Sequence, residues 1–237
     1  NQRDACADYS EGATRTALEQ LLAPLGGLDW VNPGMKIAIK VNLVTSAKPE
    51  EAATTHPVLL YSLVRMLAER GADVVVGDSP GGLFNAAFVG RVYAATGMKA
   101  VEQAGGRLNQ NFGECTVKFP EGKVCREFCH TAYLAEADAI IDFCKLKTHG
   151  MMAMTCGAKN MFGSIPGAMK PEYHFRYPDP RDFARMIVDL DEYFKPRLTI
   201  VDAVECMEGN GPTSGTPRHM GALVAGENPH KVDLVCA

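Results

Sequence analysis

The sequence predicts an α/β fold: a mainly parallel sheet flanked by helices, with a small antiparallel hairpin insertion. Three observations carry that expectation. Runs such as "ADVVVGDSP" and "ADAIIDFCKL" are continuously apolar rather than alternating, as strands buried on both faces of a parallel sheet are. Segments of helical periodicity lie between such runs, giving the strand, helix, strand order of right-handed crossovers. A chain of 237 residues, 46% of them hydrophobic, can bury most of its apolar surface, and residues 1–237 read as a single domain without repeats or linkers.

Residues 13 to 25 carry leucines at helical spacing, and Pro33-Gly34 turns the chain into the strand "MKIAIKVNLV". After the polar loop "TSAKPEEAATTH", Pro57 suits a first helical residue, Leu59, Leu63, Met66 and Leu67 form an apolar stripe, and Gly71 ends the helix. "ADVVVGDSP" completes a strand, helix, strand unit. Two short helices are expected within 86–105, and "CTVKFPEGKVCREF" reads as the hairpin, a decoration turning at Pro-Glu-Gly. A strand at "ADAIIDFCKL" follows. Asp179 then caps a helix with Pro180 at its first position and an apolar face of Phe183, Met186, Ile187, Leu190 and Phe194. "RLTIVDAVECM" and "HMGALVAG" read as strands, and "NPHKVDLVCA" opens a last helix.

A net charge of −4 gives no global attraction to nucleic acid or anionic lipid, so any anion site must be local. No basic stripe interleaves with aromatics, no apolar run approaches the ~18 residues of a membrane helix, and "NQRDACADYS" lacks signal-peptide features. Neither nucleic acid nor membrane is an expected partner. Eight cysteines without a CxxC pair point to a reducing compartment and a cytoplasmic protein. Cys125-x3-Cys129-His130 is their one close cluster, a weak zinc signal that reads more simply as cysteines on or beside a strand. With no initiating Met and an end at "HKVDLVCA", inside what reads as an element, a trimmed piece of a longer protein is expected.

Ligands of open α/β sheets gather beyond the carboxyl ends of the strands. Four such places stand out: Lys40 and Asn42 with the loop to Thr55 and His56, Asp78-Ser79, Lys145 to His149, and Asp202 to Gly211. "GDSPG" matches a nucleophile elbow formally, but Pro80 has no N–H to offer an oxyanion, so Ser79 is expected to contact a ligand or cap a helix. "GNGPTSG" has the wrong spacing for a dinucleotide loop, and no P-loop motif occurs. If the strand continues to His149, period two puts Lys145, Lys147 and His149 on one face. Crowded lysines repel, so carboxylates such as Asp78 and Asp202 or an anionic ligand must neutralise them. Gly157 and Gly163 allow close approach, Lys159 and Asn160 add donors, and a helix beginning near Thr155 would add backbone N–H groups. The methionines between read as packing. His56, His149 and His174 with Asp202 or Glu208 lack a metal-ligand spacing, so no metal is expected.

Five blocks, "KVNLV", "TTHPVLLYSLVRML", "VVVGDSPGG", "KLKTHGMMAMTCGAKNMFG" and "VDAVECMEGNGPTSG", resemble in order the domain-of-unknown-function family 362, from about residue 35 to the end. The resemblance implies a common α/β domain, with a ferredoxin-like 4Fe-4S domain following it in many members. No C-x2-C-x2-C run occurs here, so a 4Fe-4S cluster is expected only in a domain beyond residue 237, and no cofactor within the chain. The resemblance marks motif positions, from Lys40 and Asn42 to Gly211 and Pro212, without assigning them roles.

The leading expectation is a redox-linked enzyme domain that binds a small anion, a carboxylate or phosphate compound, in a Lys/His crevice. Lys145, Lys147 and Lys159 would hold the anion, with Lys40, Asn42, Thr55, His56, Ser79, Asn160, Gly209 and Gly211 contributing to the crevice. His149, with an ordinary pKa near neutrality, would be the general acid or base, oriented by Asp78 or Asp202. Electrons would come from the ferredoxin-like domain or another electron-transfer partner. Two alternatives share these residues: a non-enzymatic module that binds a metal, cluster or protein, and a non-redox isomerase or racemase.

Overall fold

The computed structural model describes residues 2–6 and 8–237. Strand β1 (Gln2–Ala5) precedes helix α1 (Glu11–Leu22), whose Leu18, Leu21 and Leu22 are buried. Strands β2 (Lys36–Val41) and β3 (Asp73–Gly77) flank α2 (Pro57–Ala68) and pair in parallel, Ile37 beside Val74 and Ile39 beside Val76. Helices α3 (Ala86–Ala95) and α4 (Ala100–Gln103) lead to the short β4 (Arg107–Leu108), and β5 (Glu114–Lys118) with β6 (Glu127–Thr131) forms the inserted hairpin. One helical turn, α5 (Ala132–Ala135), enters β7 (Ala139–His149). After β8 (Ala153–Thr155) come α6 (Gly157–Asn160), α7 (Lys170–Arg176) and α8 (Pro180–Phe194), then β9 (Leu198–Glu208), β10 (Thr216–Gly226) and α9 (Pro229–Cys236).

The main sheet runs β1, β10, β9, β7, β2, β3, β4, with β8 folded back on the end of β7. From β9 to β4 every neighbouring pair is parallel, whereas β10 and β1 add an antiparallel edge. The expected mainly parallel sheet with its flanking helices and hairpin is therefore present. Strand β1 goes beyond the sequence reading: "QRDA" has no strand pattern, and its pairing is set by the free edge of β10.

From β2 the chain works outward through β3 to β4, then returns to the other side of β2 with β7 and β9. The order reverses between β2 and β7, and the carboxyl ends at such a reversal frame a crevice. Period two divides β2 between the layers: Ile37, Ile39 and Val41 join the core under α1 and α2, while Ala38 meets Tyr133, Leu134 and Met161 on the other face. Beyond that second face lies a further core of Phe162, Ile165, Phe183, Met186 and Leu190, which takes in Phe128 of the hairpin. The hairpin is more than a decoration, because the amides of Val124 and Cys125 donate to the Asp189 carboxylate of α8 at 2.8 and 2.7 Å. Asp179 caps α8 as the sequence predicts, accepting from Arg181 N–H at 2.8 Å ahead of Pro180 at the first helical position.

Phe143, wholly buried in the centre of β7, tests this packing. Phe143→Ala is expected to lower the unfolding free energy by about 3–5 kcal/mol in urea titrations. Phe175→Ala, at a side chain 87% exposed, is expected to change it by no more than about 0.5 kcal/mol.

Candidate functional site

Beyond the ends of β2, β3 and β7 lies a cleft of about 180 Å³. Lys40 and Asn42 line it from the end of β2, Asp78 and Ser79 follow β3, and Lys147 and His149 come from the overhanging end of β7. The far wall is the segment from α6 to α7, with Lys159, Asn160, Gly163, Lys170 and His174.

Lys40 anchors the floor. Its ammonium, 1% exposed, pairs with Asp78 Oδ1 at 2.9 Å and donates to Asn160 Oδ1 at 2.9 Å and to the Val41 carbonyl at 2.8 Å. Asp78 Oδ2 accepts the Leu43 N–H at 2.7 Å, so this carboxylate is committed to Lys40 and the backbone rather than to His149. Asn160 joins the strands: its oxygen also accepts from Asn42 Nδ2 at 2.9 Å, and its Nδ2 donates to Asp142 Oδ1 at 2.6 Å. Gly163 packs so closely here that a Cβ would overlap Lys40 Nζ and Asp78 Oδ1. Ser79 lines the cleft, but its hydroxyl accepts the Gly167 amide at 2.7 Å.

The other three lysines of the cleft have no carboxylate. Lys147 Nζ donates to Asn42 Oδ1 at 2.8 Å and the Ala53 carbonyl at 2.5 Å; burial, then repulsion from Lys159, pulls its pKa well below the ordinary lysine value. Lys159 has no hydrogen-bond or ion-pair partner among the described residues, and burial followed by repulsion from Lys40 brings it down to about 8. Lys170 donates to the Ser79 carbonyl, and burial lowers it to about 8 as well. His149 Nδ1 accepts the amides of Met151 and Met152, each at 3.2 Å, so the ring proton belongs on Nε2. Burial, then repulsion from Lys159 and Lys147, pulls the ring down to about 4. At pH 7 His149 is thus a neutral Nε2–H donor, not a group titrating near neutrality.

The rest of the predicted cation row goes elsewhere. Strand β7 does extend to His149, and opposite it β9 carries the irregularity: β9 advances from Asp202 to Met207 while β7 advances from Lys145 to Lys147, so the two lysines meet different partners. Lys145, opposite Asp202 on β9, pairs with that carboxylate at 2.9 Å with both side chains fully buried. Asp202 also accepts from Tyr9 hydroxyl at 2.9 Å and from His56 N–H at 3.0 Å, and so does not orient His149. His56 stacks on Tyr9 and caps α2, its Nδ1 accepting from Val58 N–H at 3.3 Å. Thr55 bridges β2 and β7, accepting from Asn42 N–H and donating to the Phe143 carbonyl, both at 2.9 Å. Gly209 accepts the Thr148 hydroxyl at 3.0 Å and Gly211 packs against Thr148, so this loop puts Pro212 rather than its glycines on the cleft. The amides opening α6 are taken too: Gly157 and Ala158 donate to the Asp233 carboxylate of α9, at 2.7 and 3.2 Å.

Among the described residues no group of three or more His, Cys, Asp or Glu is placed to hold a metal ion. The Cys125 thiol donates to the Glu127 carbonyl at 3.6 Å, and burial pushes its pKa up. His149 and His174 do meet at the cleft, whereas His56 lies with Tyr9. Lys170 and Tyr9 escaped the sequence reading, and His174 entered it only as a candidate metal ligand: Lys170 lies in a segment without strand or helix periodicity, and Tyr9 reaches its partners from the other end of the chain.

The family model of a domain of unknown function (DUF362) matches residues 37–237. The chain belongs to that family. A thylakoid-associated protein of Synechocystis sp. is 32% identical over 235 residues, covering 96% of this chain and 70% of its own length. The lactate racemase apoprotein from Thermoanaerobacterium thermosaccharolyticum shares the fold, with a TM-score of 0.58 and 14% identity over the whole of this chain. The chain spans just over half of that racemase, 56% of its length. No helix among the described residues is long and apolar enough to cross a membrane.

Two substitutions test the charge balance. Lys159 is about 8 folded, against about 10.4 for a free lysine. The unfolded state therefore binds the extra proton between those values, and wild-type stability rises with pH through that window. Lys159→Met is expected to be the more stable protein at pH 7, with its advantage shrinking toward pH ~10.4, as denaturant titrations at both ends would read. Gly163→Ala is expected to destabilise at pH 7 by displacing Lys40 from Asp78, with a drop in thermal midpoint far larger than for Gly81→Ala, where a Cβ meets open space.

Proposed function

We propose that this chain is an enzyme domain that binds a small carboxylate in the cleft, with Lys159 and Lys170 holding the anionic group and Lys147 and His149 facing the atoms beside it. One observation carries the reading: four lysines line the cleft, and its single lining carboxylate, Asp78, is already paired with Lys40. Three depressed lysines crowded together are a standing electrostatic cost, and a bound anion removes it. At about 180 Å³ the cleft lies below the ~300–1,000 Å³ of sites for drug-sized ligands, which favours a molecule of a few heavy atoms. The racemase of the same fold is named for lactate; the size and charge of the cleft, rather than that likeness, support a small acid here.

The redox-linked form of this reading adds a ferredoxin-like 4Fe-4S domain beyond residue 237 as electron donor. It rests on the family, and a CxxCxxCxxxCP run further along the reading frame tests it. A racemase or isomerase would use the same lysines and need no donor. Eight cysteines without a CxxC pair support a reducing compartment such as the cytoplasm.

An anion should raise the pKa values of Lys159 and Lys170 and draw protons onto the protein. Calorimetric titration with lactate, glycolate and inorganic phosphate at pH 8, in buffers of different ionisation heat, is expected to read proton uptake. Lys159→Ala should weaken binding by about tenfold or more, and added salt should weaken it further. If the wild-type protein binds none of the three, the reading is wrong.

A further inference from the structure

We infer that Lys147 is an amine nucleophile and that the small acid carries a carbonyl beside its carboxylate: the cleft forms an imine with a 2-oxo acid. The inference rests on the anion cleft proposed above and deepens it.

The hydrogen bonds at Lys147 carry the argument. Its side chain is 2% exposed, and Nζ has two acceptors, Asn42 Oδ1 and the Ala53 carbonyl. The Asn42 orientation follows from its neighbours, because Asn42 Nδ2 donates to Asn160 Oδ1 and Asn160 Nδ2 donates onward to Asp142. The oxygen of Asn42 is therefore the atom that meets Lys147. A neutral amine has two N–H groups and one lone pair, and two acceptors satisfy it and leave the lone pair free. An ammonium would bury a third N–H without an acceptor and with no carboxylate to neutralise it, whereas each of the other two wholly buried lysines has a carboxylate. Lys40 has Asp78 as well as two oxygen acceptors, and Lys145 has Asp202 as well as the Tyr9 hydroxyl. Desolvation and a neighbouring cation are the two devices that turn a lysine into a nucleophile at neutral pH, and Lys147 has both, with Lys159 as the cation.

The step balances without an oxidant or reductant. The Nζ lone pair attacks C2 of the acid, the C–N bond forms, and the carbonyl π electrons move onto oxygen, which takes a proton from nitrogen. The resulting hydroxyl leaves as water with one proton from the Lys159 ammonium, giving the iminium on Lys147 and a neutral Lys159. His149 Nε2–H is the neutral donor available to that oxygen, and Lys170 stays with the carboxylate.

Borohydride reduction of the wild-type protein with pyruvate at pH 7, followed by intact mass and peptide mapping, tests the inference. Lactate, which has no carbonyl, is titrated alongside. The expected result is one reduced pyruvyl group per chain, on Lys147, enriched about tenfold or more over exposed lysines such as Lys99 and Lys118, and suppressed by lactate. Lys147→Arg should abolish the adduct, and mapping of the wild-type adduct decides the question even if that variant does not fold. Binding of pyruvate without an adduct, or an adduct on Lys159, Lys170 or the exposed lysines, overturns the imine and leaves the anion cleft standing. Failure to bind either acid overturns both.

Discussion

A nearly dehydrated ammonium group between two strand ends is the constraint around which this end of the molecule is arranged. Lys40 sits at 1% exposure, and taking such a charge out of water costs several kcal/mol unless its protons all find partners. Asp78, Asn160 and the Val41 carbonyl supply them. Each comes from a different piece of backbone, so meeting the needs of one lysine fixes β2 against β3 and holds α6 over both. The motif Lys159-Asn160 followed by Gly163 then has a structural logic. Asn160 is the neutral group that can accept from Lys40 and Asn42 while donating to Asp142, and Gly163 must be bare because the ion pair occupies the space of its Cβ.

The lysines divide by whether the fold itself neutralises them. Lys40 and Lys145 are structural, each locked to a carboxylate at 2.9 Å. Lys147, Lys159 and Lys170 are held near them with no such partner, and each has its pKa driven down. A fold selected for stability alone would replace them by apolar residues of similar volume, which often match or exceed buried charges in stability. Three lysines held together without a carboxylate break a local rule, and such breaks are expected at functional sites.

Much of this was legible from strand chemistry. Continuous β-branched runs gave the parallel strands, and searching their carboxyl ends found Lys40, Asn42, Asp78, Lys147, His149, Lys159 and Asn160, all of which line the cleft. Alternation along β7 could not separate Lys145 from Lys147, because their different partners are set by β9, which advances five residues while β7 advances two. Sequence spacing also cannot show which carboxylate stands opposite: Asp202 takes Lys145 because β9 pairs with β7 in one particular register. Lys170, without local periodicity, and the groups recruited across the chain, Tyr9 and Asp233, left no signal to read. Helix-end donors were misjudged for the same reason, since α6 does begin next to the cleft but its amides satisfy a carboxylate of α9.

The surplus positive charge would lose its meaning if a second layer of carboxylates quietly balanced it, and Asp142 is the residue to examine. It reaches Asn160 at 2.6 Å and so stands one residue behind Lys40. Burial raises its pKa to about 8, with the favourable effects of Asn160 and Lys40 insufficient to bring it back and Asp233 opposing them. At neutral pH Asp142 is therefore mostly the uncharged acid, able to hydrogen-bond but not to offset an ammonium. Asp233 is drawn off by the amides of α6, and burial raises it also. The balance at the cleft is thus settled among the groups that line it: Lys40 with Asp78, and three lysines whose charge only an incoming anion or the loss of a proton can relieve. Those two routes correspond to two roles, since a lysine that keeps its proton attracts the anion and one that has lost it can attack it.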